Sequence, residues 1–452
     1  MRTPKALQAI FDIKRDELPL ALLMFSYFFL VITSFWILKP IKKALFIEHY
    51  DQTGFDLLSW HMTASQAELI AKVLNMVVAI VAVTVFTWLA RTLRRQQLTF
   101  VFTGFFLLSY AAYSLVIDEP GDPTVWSFYL FGDLFSTLMV ATFFAFLNDS
   151  VTPDSAKRIY GLVGLGGVTG GAFGSMFVRS LISSVSRVGW LWICAAIAVL
   201  IVAVAYAAGR IVAAHPPDDE ESSAEPDPPA TTGPDAHDEN EKQPNPALEG
   251  ARLVFRSRYL LSIVAIVGLY EIVSTIMDFQ FTSTVAHYLT GPAIGKQFST
   301  VFAITNAVAM VVQLLFTSLV MTRLGVGVAL LVLPMAALGG SAAFVAMPIL
   351  WTGSLLNTAD NAFSYSINQS AKEALYVPTT KDEKYKAKAF IDMFVQRFAK
   401  ALAVFVSLGI TTYFSDFESV RWLSVFTVIV IAAWIVAARY AGRHFREITE
   451  HS

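Results

Sequence analysis

The stretch PPDDEESSAEPDPPATTGPDAHDENEKQPNP, from Pro216 to Pro246, divides an otherwise apolar chain into two parts. Acidic residues alternate in it with prolines and small residues. It has too little apolar surface to offset the entropy that ordering would cost, so it is predicted to be disordered. Two roles are open for it: a solvated tether between the two parts of the chain, or a docking segment for another protein.

Six long apolar runs lie on each side of this stretch. Each run approaches or exceeds the ~20 residues that a helix needs to cross a hydrocarbon core. An arrangement of six plus six is typical of secondary transporters, which bind their solute near the membrane midplane between two halves. In chain order, the runs cover residues 20–38, 68–90, 98–117, 125–147, 160–183, 189–212, 259–287, 296–322, 324–347, 349–373, 388–414 and 421–441.

The runs predict an all-α polytopic membrane protein with twelve transmembrane helices in two six-helix bundles. We expect a cytoplasmic amphipathic segment over residues 1–18, bundles over 19–213 and 247–442, a disordered acidic linker over 214–246 and a cytoplasmic tail over 443–452. Apolar residues make up 55% of the chain and charged residues only 15%. Soluble domains average about 25% charged residues, so a single soluble core is a poor alternative.

Lysine and arginine cluster in the segments that the runs place on one side of the membrane, for example Arg91, Arg94 and Arg95. The loops on the other side carry acidic residues, such as Asp118 and Glu119. By the positive-inside rule, both termini and the central linker face the cytoplasm. We therefore expect a multi-pass protein of the bacterial inner membrane that contacts membrane lipids.

The sequence offers no support for an enzyme. Cys194 is the single cysteine, the seven histidines are scattered, and no His-Glu-x-x-His, Walker or nucleophile-elbow motif is present. No metal site and no cofactor is expected. A formal net charge of −2 gives the chain no overall attraction to nucleic acid, which is not expected as a partner.

Glycines recur at the start of the fifth run, where the pairs Gly167–Gly171 and Gly170–Gly174 are each four residues apart. Small residues at this spacing permit close crossing of two membrane helices. The alternative, a phosphate-binding glycine loop, lacks the preceding strand and the Gly-Lys-Ser/Thr that such a loop requires. The pattern predicts helix packing.

Three lysines, Lys39, Lys42 and Lys43, end the first run at i, i+3, i+4 spacing. If the helix continues past Pro40, their ammonium groups share one face and repel one another. An anionic ligand would relieve that repulsion. The other interpretation is that they extend to the outer headgroups from a helix end.

Polar residues also recur inside the seventh and eighth runs. Ionisable groups are costly in a bilayer, and those that occur there are candidates for function. Glu271 and Asp278 are seven residues apart on one face, and Gln280 follows them. They are predicted to line a cavity, where they would hold a coupling proton or a polar part of the solute. Asn306 of the eighth run could line the cavity or hydrogen-bond a neighbouring helix.

The tenth and eleventh runs are the most polar. Asn361 and Asn368 belong to a stripe along the tenth run, which must face protein or water, and Lys372 follows it. Lys400 of the eleventh run, with Arg397 beside it, needs a partner such as Glu271 or Asp360. For Lys400, structural pairing and solute binding are both open.

The segment Lys372-Glu373-Ala374-Leu375-Tyr376-Val377-Pro378, with Lys384, Lys386, Lys388 and Asp392 after it, resembles a signature of the nucleotide (ATP/ADP) translocase family. Asn148-Asp149 and Lys157-Arg158-x-Tyr160-Gly161-Leu162 are similar to the family's pattern as well. That family is distantly related to the major facilitator superfamily. The resemblance implies a major-facilitator-like fold and exchange of ATP for ADP.

The family's first-helix motif, Leu-Arg-Asp-Thr-Lys-Asp, corresponds to Leu38, Lys39, Pro40, Ile41, Lys42 and Lys43 here. The resemblance implies that Lys42 is the functional lysine, whereas Pro40 and Lys43 replace two acidic residues. The family's Glu-x-x-x-Lys-x-Gln in the seventh helix corresponds to Ser274, Asp278 and Gln280. These positions are associated with nucleotide binding in the family.

The resulting hypothesis is a monomeric secondary transporter that works by alternating access on an anionic, phosphorylated solute such as ATP or ADP. Lysines suit polyphosphates because they bind as point charges. Two other classes remain open: a carrier of a non-nucleotide metabolite, lipid or organic anion on the same fold, and a membrane receptor or assembly subunit that has lost transport. The residues predicted to bind the solute are Lys39, Lys42, Lys43, Glu271, Asp278, Gln280, Asn306, Asn361, Asn368, Lys372, Arg397 and Lys400.

Overall fold

The computed structural model describes residues 14–214, 246–380, 387–414 and 417–450. Residues 1–13 of the predicted amphipathic segment lie outside the described residues. Residues 215–245 of the acidic linker lie outside them as well. Lys384 and Lys386, which belong to the family resemblance, also lie outside them.

The first part of the chain forms six helices and one short hairpin. The hairpin joins the first two helices, and Phe55 pairs with Met62 across it. In chain order the elements are α1 Leu18–Tyr50, β1 Phe55–Leu57, β2 Trp60–Met62, α2 Ala64–Thr92, α3 Arg95–Ser114, α4 Asp122–Ser150, α5 Pro153–Leu181 and α6 Arg187–Ala214.

Helix α1 continues through Pro40 to Tyr50. The three lysines that follow the first apolar run therefore lie on a continuous helix, as their spacing requires for a shared face. Helix α2 starts with a capping box, in which the Thr63 hydroxyl accepts from the Gln66 amide and the Gln66 side chain accepts from the Thr63 amide.

The second part of the chain is also helical, but three of its apolar runs contain π-helical turns at Val312–Thr317, Val320–Leu324, Ser364–Asn368 and Ile391–Val395. Such turns frequently occur at functional sites. The helices are α7 Pro246–Arg256, α8 Arg258–Tyr288, α9 Pro292–Val311, α10 Gly325–Ala346, α11 Leu350–Phe363, α12 Gln369–Ala374, α13 Lys388–Phe390, α14 Gln396–Tyr413 and α15 Val420–Glu450.

Nine helices in the described part of the chain are long and apolar enough to span a membrane. The predicted count of twelve is therefore not confirmed. Helix α3 ends at Ser114 and starts with Arg95, Gln96 and Gln97, which lower its hydropathy. The runs 349–373 and 388–414 do form helices, but they carry charges and π-helical turns. What the structure does show is a multi-pass, all-helical protein.

Three hydrophobic cores hold the helices together. The first is built from α1 to α6 and includes Phe135 and Trp190. The second is built mainly from α7 to α15 and includes Trp434. The third joins the two parts of the chain near the ends of α1 and α8, where Phe46 and Tyr50 belong to the same cluster as Phe281 and Phe298.

A stripe of glycines brings α5 against the backbone of α1. A Cβ atom at Gly166 would lie 2.7 Å from the Phe25 carbonyl oxygen, and one at Gly174 would lie 2.7 Å from the Thr33 carbonyl oxygen. Thr33 also donates from its hydroxyl to the Gly170 carbonyl oxygen at 3.2 Å. The structure confirms the predicted packing role of the glycines and extends the stripe to Gly166.

The same two helices are joined at their N-terminal ends. The Arg158 side chain of α5 donates to Glu17, with Nε 3.0 Å from Oε2, and the Ser155 hydroxyl donates to Oε1 at 2.6 Å. This guanidinium lowers the pKa of the Glu17 carboxyl to about 2. Glu17 is therefore ionised at neutral pH and holds the start of α1 to the start of α5.

The glycine stripe leads to a first prediction. A Gly170→Ala variant is expected to lose roughly 1–3 kcal/mol of stability, because the new Cβ would lie 2.6 Å from the Phe29 carbonyl oxygen. The measurement is thermal unfolding of the purified protein in detergent. Gly164→Ala on the same helix is the matched control, since nothing lies within 4 Å of its added Cβ. Equal effects of the two substitutions would contradict the packing role.

Candidate functional site

A cavity of about 860 Å³ lies between the two parts of the chain. Its walls come from α1, α2 and α4 of the first part and from α8, α11, α12 and α14 of the second, together with the π-helical turns beside α11 and α14. The size is within the usual range of about 300–1,000 Å³ for small-molecule sites.

The cavity is closed at one end and open at the other. Beyond Lys43 and Asp278, the apolar cluster around Phe46 and Phe281 fills the space between the two parts of the chain. Two polar contacts also cross between them there: the Gly291 amide donates to Asp51 at 3.1 Å, and the Gln66 side chain donates to Thr411 at 3.1 Å. At the other end, Gln369 and Asp392 are exposed.

Three lysines at the closed end are paired with acidic residues. Lys43 of α1 contacts Asp278 of α8 at 3.0 Å and Glu68 of α2 at 3.2 Å. Lys72, one helical turn after Glu68, also pairs with Asp278. Asp278 thus holds two cations from the other part of the chain, and Asn357 donates to it at 3.2 Å.

Lys42 forms a second pair, with Asp133 in the middle of α4. The amide of Asn75 donates to the other oxygen of Asp133 at 2.8 Å. Lys42 lies over the ring of Tyr129, whose hydroxyl donates to Glu68 at 2.8 Å. The two lysine pairs therefore form one connected polar network across α1, α2, α4 and α8.

Lys39 differs from these lysines. Within the described part of the chain, no carboxylate oxygen lies within 4.0 Å of its ammonium group. Aromatic rings surround it instead: Trp36 at 4.4 Å, Phe302 at 5.0 Å, Phe35 at 5.8 Å and Tyr365 at 6.0 Å from ring centroid to Nζ. Ring faces attract a cation without neutralising it, so the positive charge remains available to an anion.

Away from the open end, the second part of the chain contributes an ion pair and the buried Asp360 to the wall. Glu271 of α8 contacts Lys400 of α14 at 3.4 Å, which is one of the partners predicted for Lys400. Asp360 of α11 accepts a hydrogen bond from Ser274 at 2.6 Å. The hydroxyl of Tyr270 is 2.6 Å from that of Ser364.

The open end contains both signs of charge. Lys388 contacts Glu373 at 2.6 Å, and Gln396 donates to Asp392 at 3.0 Å. Arg397 donates to the backbone oxygen of Met76 at 3.2 Å. Lys372 lines the mouth nearby. Among the described residues, neither Arg397 nor Lys372 has a carboxylate partner within 4.0 Å.

Ten of the twelve residues predicted to bind solute line this cavity. They are Lys39, Lys42, Lys43, Glu271, Asp278, Asn361, Asn368, Lys372, Arg397 and Lys400.

The other two lie outside it. Gln280 is buried and donates to the Val420 carbonyl at 2.9 Å and to the Ser424 hydroxyl at 2.8 Å. Asn306 donates within its own helix to Phe302 at 3.0 Å and lies against Gly171 of α5. Asn306 therefore packs against a neighbouring helix, but the hydrogen bond that it donates stays within its own helix.

Sequence reasoning missed three charged residues of the network: Glu68, Lys72 and Asp133. Each lies in an apolar run, where an ionisable residue is a candidate for function. Glu68 and Lys72 stand four residues apart at the start of the second run, and Asp133 stands in the middle of the fourth. The same rule that selected Glu271 and Asp278 could have found all three.

The chemistry of the cavity is that of binding. Seven basic and seven acidic residues of the described chain line it, so its formal charge is balanced. The described residues contain no group of three or more His, Cys, Asp or Glu side chains that could hold a metal ion. The cations that have no carboxylate within 4.0 Å among the described residues are Lys39, deep in the cavity, and Lys372 and Arg397, at its open end.

Comparison with known sequences gives matches to transporters. The chain matches the family model of the Major Facilitator Superfamily over residues 20–371 and that of the TLC ATP/ADP transporter over residues 345–445. The second match covers the segment on which the resemblance to ATP/ADP translocases is based, and it confirms that resemblance. Neither model describes an enzyme.

The curated relatives are ADP,ATP carriers of low identity. ADP,ATP carrier protein 1, chloroplastic, of Arabidopsis thaliana is 23% identical over 361 residues, which are 72% of this chain and 55% of the relative. This chain therefore spans about half the length of the plastid relatives it matches. ADP,ATP carrier protein 1 of Chlamydia muridarum is 22% identical over 96% of this chain and 90% of the relative.

Solved structures of similar fold are transporters as well. A bacterial homolog of the human lysosomal transporter Spinster, in an inward-facing and unoccupied conformation, has a TM-score of 0.59 and 14% identity. The alignment covers 96% of this chain and 98% of that structure. At this identity the likeness shows the fold alone. From the family model, which matches more than half of its length, the chain belongs to the Major Facilitator Superfamily.

Proposed function

We propose that this protein is a secondary transporter for an anionic, phosphorylated solute such as a nucleotide, and that it works by alternating access. The observation that carries the proposal is the set of cavity cations without a carboxylate partner in the described chain: Lys39, Lys372 and Arg397. Lys39 lies deep in the cavity, and the other two lie at its open end.

These three cations are the groups that an anion would contact first. Lys42, Lys43 and Lys72 already have acidic partners, so an anion that binds them must displace a carboxylate. Among the described residues, no carboxylate oxygen lies within 4.0 Å of Lys39, and aromatic rings surround its ammonium group in a partly buried position. A phosphate group would supply the missing negative charge at little desolvation cost to the lysine.

A nucleotide fits this arrangement for two further reasons. The two cations at the open end and the one deep in the cavity suit a long anion with several charges. Exposed aromatic side chains, such as Tyr365, offer a face for a base to stack on. The names of the curated relatives, ADP,ATP carriers, point to the same class of solute.

Alternating access accounts for the distribution of contacts between the two parts of the chain. The cavity is open at the end where α12 terminates and closed where α1 terminates. With the orientation expected from the positive-inside rule in a bacterial inner membrane, the open end faces the cytoplasm. Transport then requires the closed end to separate, including the contacts of Asp51 and Gln66 with the other part of the chain.

A substitution at Lys39 tests the solute. Lys39→Gln is expected to weaken binding of ATP and ADP by roughly tenfold to a hundredfold, because a charge-assisted hydrogen bond contributes roughly 1.5–3 kcal/mol. The measurement is the shift in thermal stability of the purified protein at increasing nucleotide concentration, since a ligand that binds only the folded state raises stability. The shift of the wild-type protein should also decrease at high salt.

The control is Lys296→Gln, which removes the same charge from an exposed position on α9 outside the cavity. It should leave the shift unchanged. If no nucleotide stabilises the wild-type protein but another organic anion does, the substrate belongs to the non-nucleotide class. Equal shifts for both variants and the wild type would remove Lys39 from the binding site.

A disulfide across the closed end tests alternating access. A Cβ at Gly295 of α9 would lie 3.3 Å from the Ala44 Cβ of α1, close to the separation of about 3.5–4.5 Å in disulfides. The double variant Ala44→Cys and Gly295→Cys is expected to lose transport in proteoliposomes on oxidation and to recover it on reduction. Binding of nucleotide should persist in the oxidised form.

Each single-cysteine variant serves as a control for the oxidant, and Cys194 is buried in α6. Neither single variant should lose transport on oxidation. Full transport by the cross-linked double variant would show that the closed end does not open during the cycle.

A further inference from the structure

Asp360 is the one buried acidic residue of the cavity without a basic partner in the described part of the chain. Its residue exposure is only 3%, and no nitrogen of Lys, Arg or His lies within 4.0 Å of its carboxyl. The other buried or half-buried acids of the cavity are paired with lysine: Glu68, Asp133, Glu271, Asp278 and Glu373. Among the described residues, Asp392 also lacks a basic partner within 4.0 Å, but it is exposed at the mouth.

Burial without a basic partner in the described part of the chain favours a neutral Asp360 carboxyl, and a single accepted hydrogen bond offsets this only in part. Its Oδ2 accepts from the Ser274 hydroxyl at 2.6 Å. An ionised carboxylate that is buried with so little compensation is costly, whereas a protonated one is not. The group therefore has a physical reason to carry a proton in this open state of the cavity.

Charged groups face Asp360 from three neighbouring elements. Glu271 and Asp278 lie on α8, Lys39 lies on α1, and Lys400 lies on α14. Tyr270 of α8 and Tyr365, beyond the end of α11, also line the cavity. Besides α8, the helices packed against α11 are α9 and α10. Helix α10 has no ionisable residue, and that of α9, Lys296, is exposed in its first turn.

We propose that Asp360 is the proton-binding site of this transporter and that a proton moves together with the anionic solute. The proposal rests on the proposed function. It assigns the coupling proton to a residue other than Glu271 and Asp278, the two that the sequence suggested. Both of those already form ion pairs with lysine.

The two ligands are expected to bind cooperatively because they share one cavity. A proton on Asp360 removes a negative charge that would repel the anion. An anion on Lys39 offsets the positive charge that would otherwise favour ionised Asp360. Binding of the proton and binding of the anion therefore raise each other's affinity by the same factor. Joint occupation of the cavity makes symport the expected mode.

The test compares two modes of transport in proteoliposomes, with the membrane potential clamped by potassium and valinomycin. Wild-type protein should accumulate labelled ADP when a pH gradient drives protons in the same direction. Asp360→Asn keeps the size of the side chain and its contact with Ser274. This variant should retain exchange of internal for external ADP but lose gradient-driven accumulation at least tenfold.

Asp118→Asn is the matched control, since it makes the same chemical change in an exposed residue outside the cavity. It should behave like the wild type in both modes. Gradient-driven accumulation by Asp360→Asn at the wild-type level would overturn the proposal.

A second measurement decides the question even if Asp360→Asn does not fold. Addition of ADP to wild-type protein in weakly buffered detergent solution, repeated at increasing pH and followed with a pH dye, should show proton uptake that rises toward about one proton per ADP bound once the pH is high enough to ionise Asp360 in the solute-free protein. ADP that binds without proton uptake, and is exchanged without any effect of the pH gradient, would overturn this proposal and leave the proposed function intact. A wild-type protein that neither binds nor exchanges nucleotide would instead overturn the proposed function.

Discussion

The cost of burying charge is the constraint on which the rest of this structure depends. Lys43 lies where an uncompensated charge would be unfavourable, and it contacts both Glu68 and Asp278. Lys72 also forms ion pairs with Glu68 and Asp278. Because Asp278 belongs to the other part of the chain, this neutralisation also holds the two parts together at the closed end of the cavity. A buried pair of this kind is weak evidence for stability but good evidence for a specific arrangement.

Two ionisable residues of the cavity, Lys39 and Asp360, have no partner of opposite charge within 4.0 Å in the described part of the chain. Lys39 lies among aromatic rings from both parts of the chain, and Asp360 is buried with a serine as its polar neighbour. In the proposals above, Lys39 binds the anionic solute and Asp360 binds the proton. A cavity of balanced formal charge can thus be selective, because the distribution of partners rather than the total charge decides what it binds.

The closed end shows how apolar packing complements this network. Phe46, Tyr50 and Phe281 pack together beyond the ion pairs, and few polar contacts cross there. Separation at this end would also have to break the pairs that Lys43 and Lys72 form with Asp278. The glycine stripe of α5, by contrast, packs within the first part of the chain and brings two backbones into contact. These different contacts are consistent with rigid halves that move about a separable interface.

The sequence by itself determined the multi-pass helical class and the periodic faces that carry Lys39, Lys42 and Lys43, because hydropathy and helical spacing are local properties. It also selected most of the residues that line the cavity, since polar groups in apolar runs must face protein or water. It did not determine which of the three lysines lacks a carboxylate partner in the described part of the chain. Gln280 and Asp278 stand two residues apart, yet only Asp278 lines the cavity. Helix rotation and the approach of α4 to α1 decide that Lys42 contacts Asp133, whereas Lys39 lies beside aromatic rings with no carboxylate within 4.0 Å among the described residues. Those pairings depend on distances between distant segments, which only the tertiary structure sets.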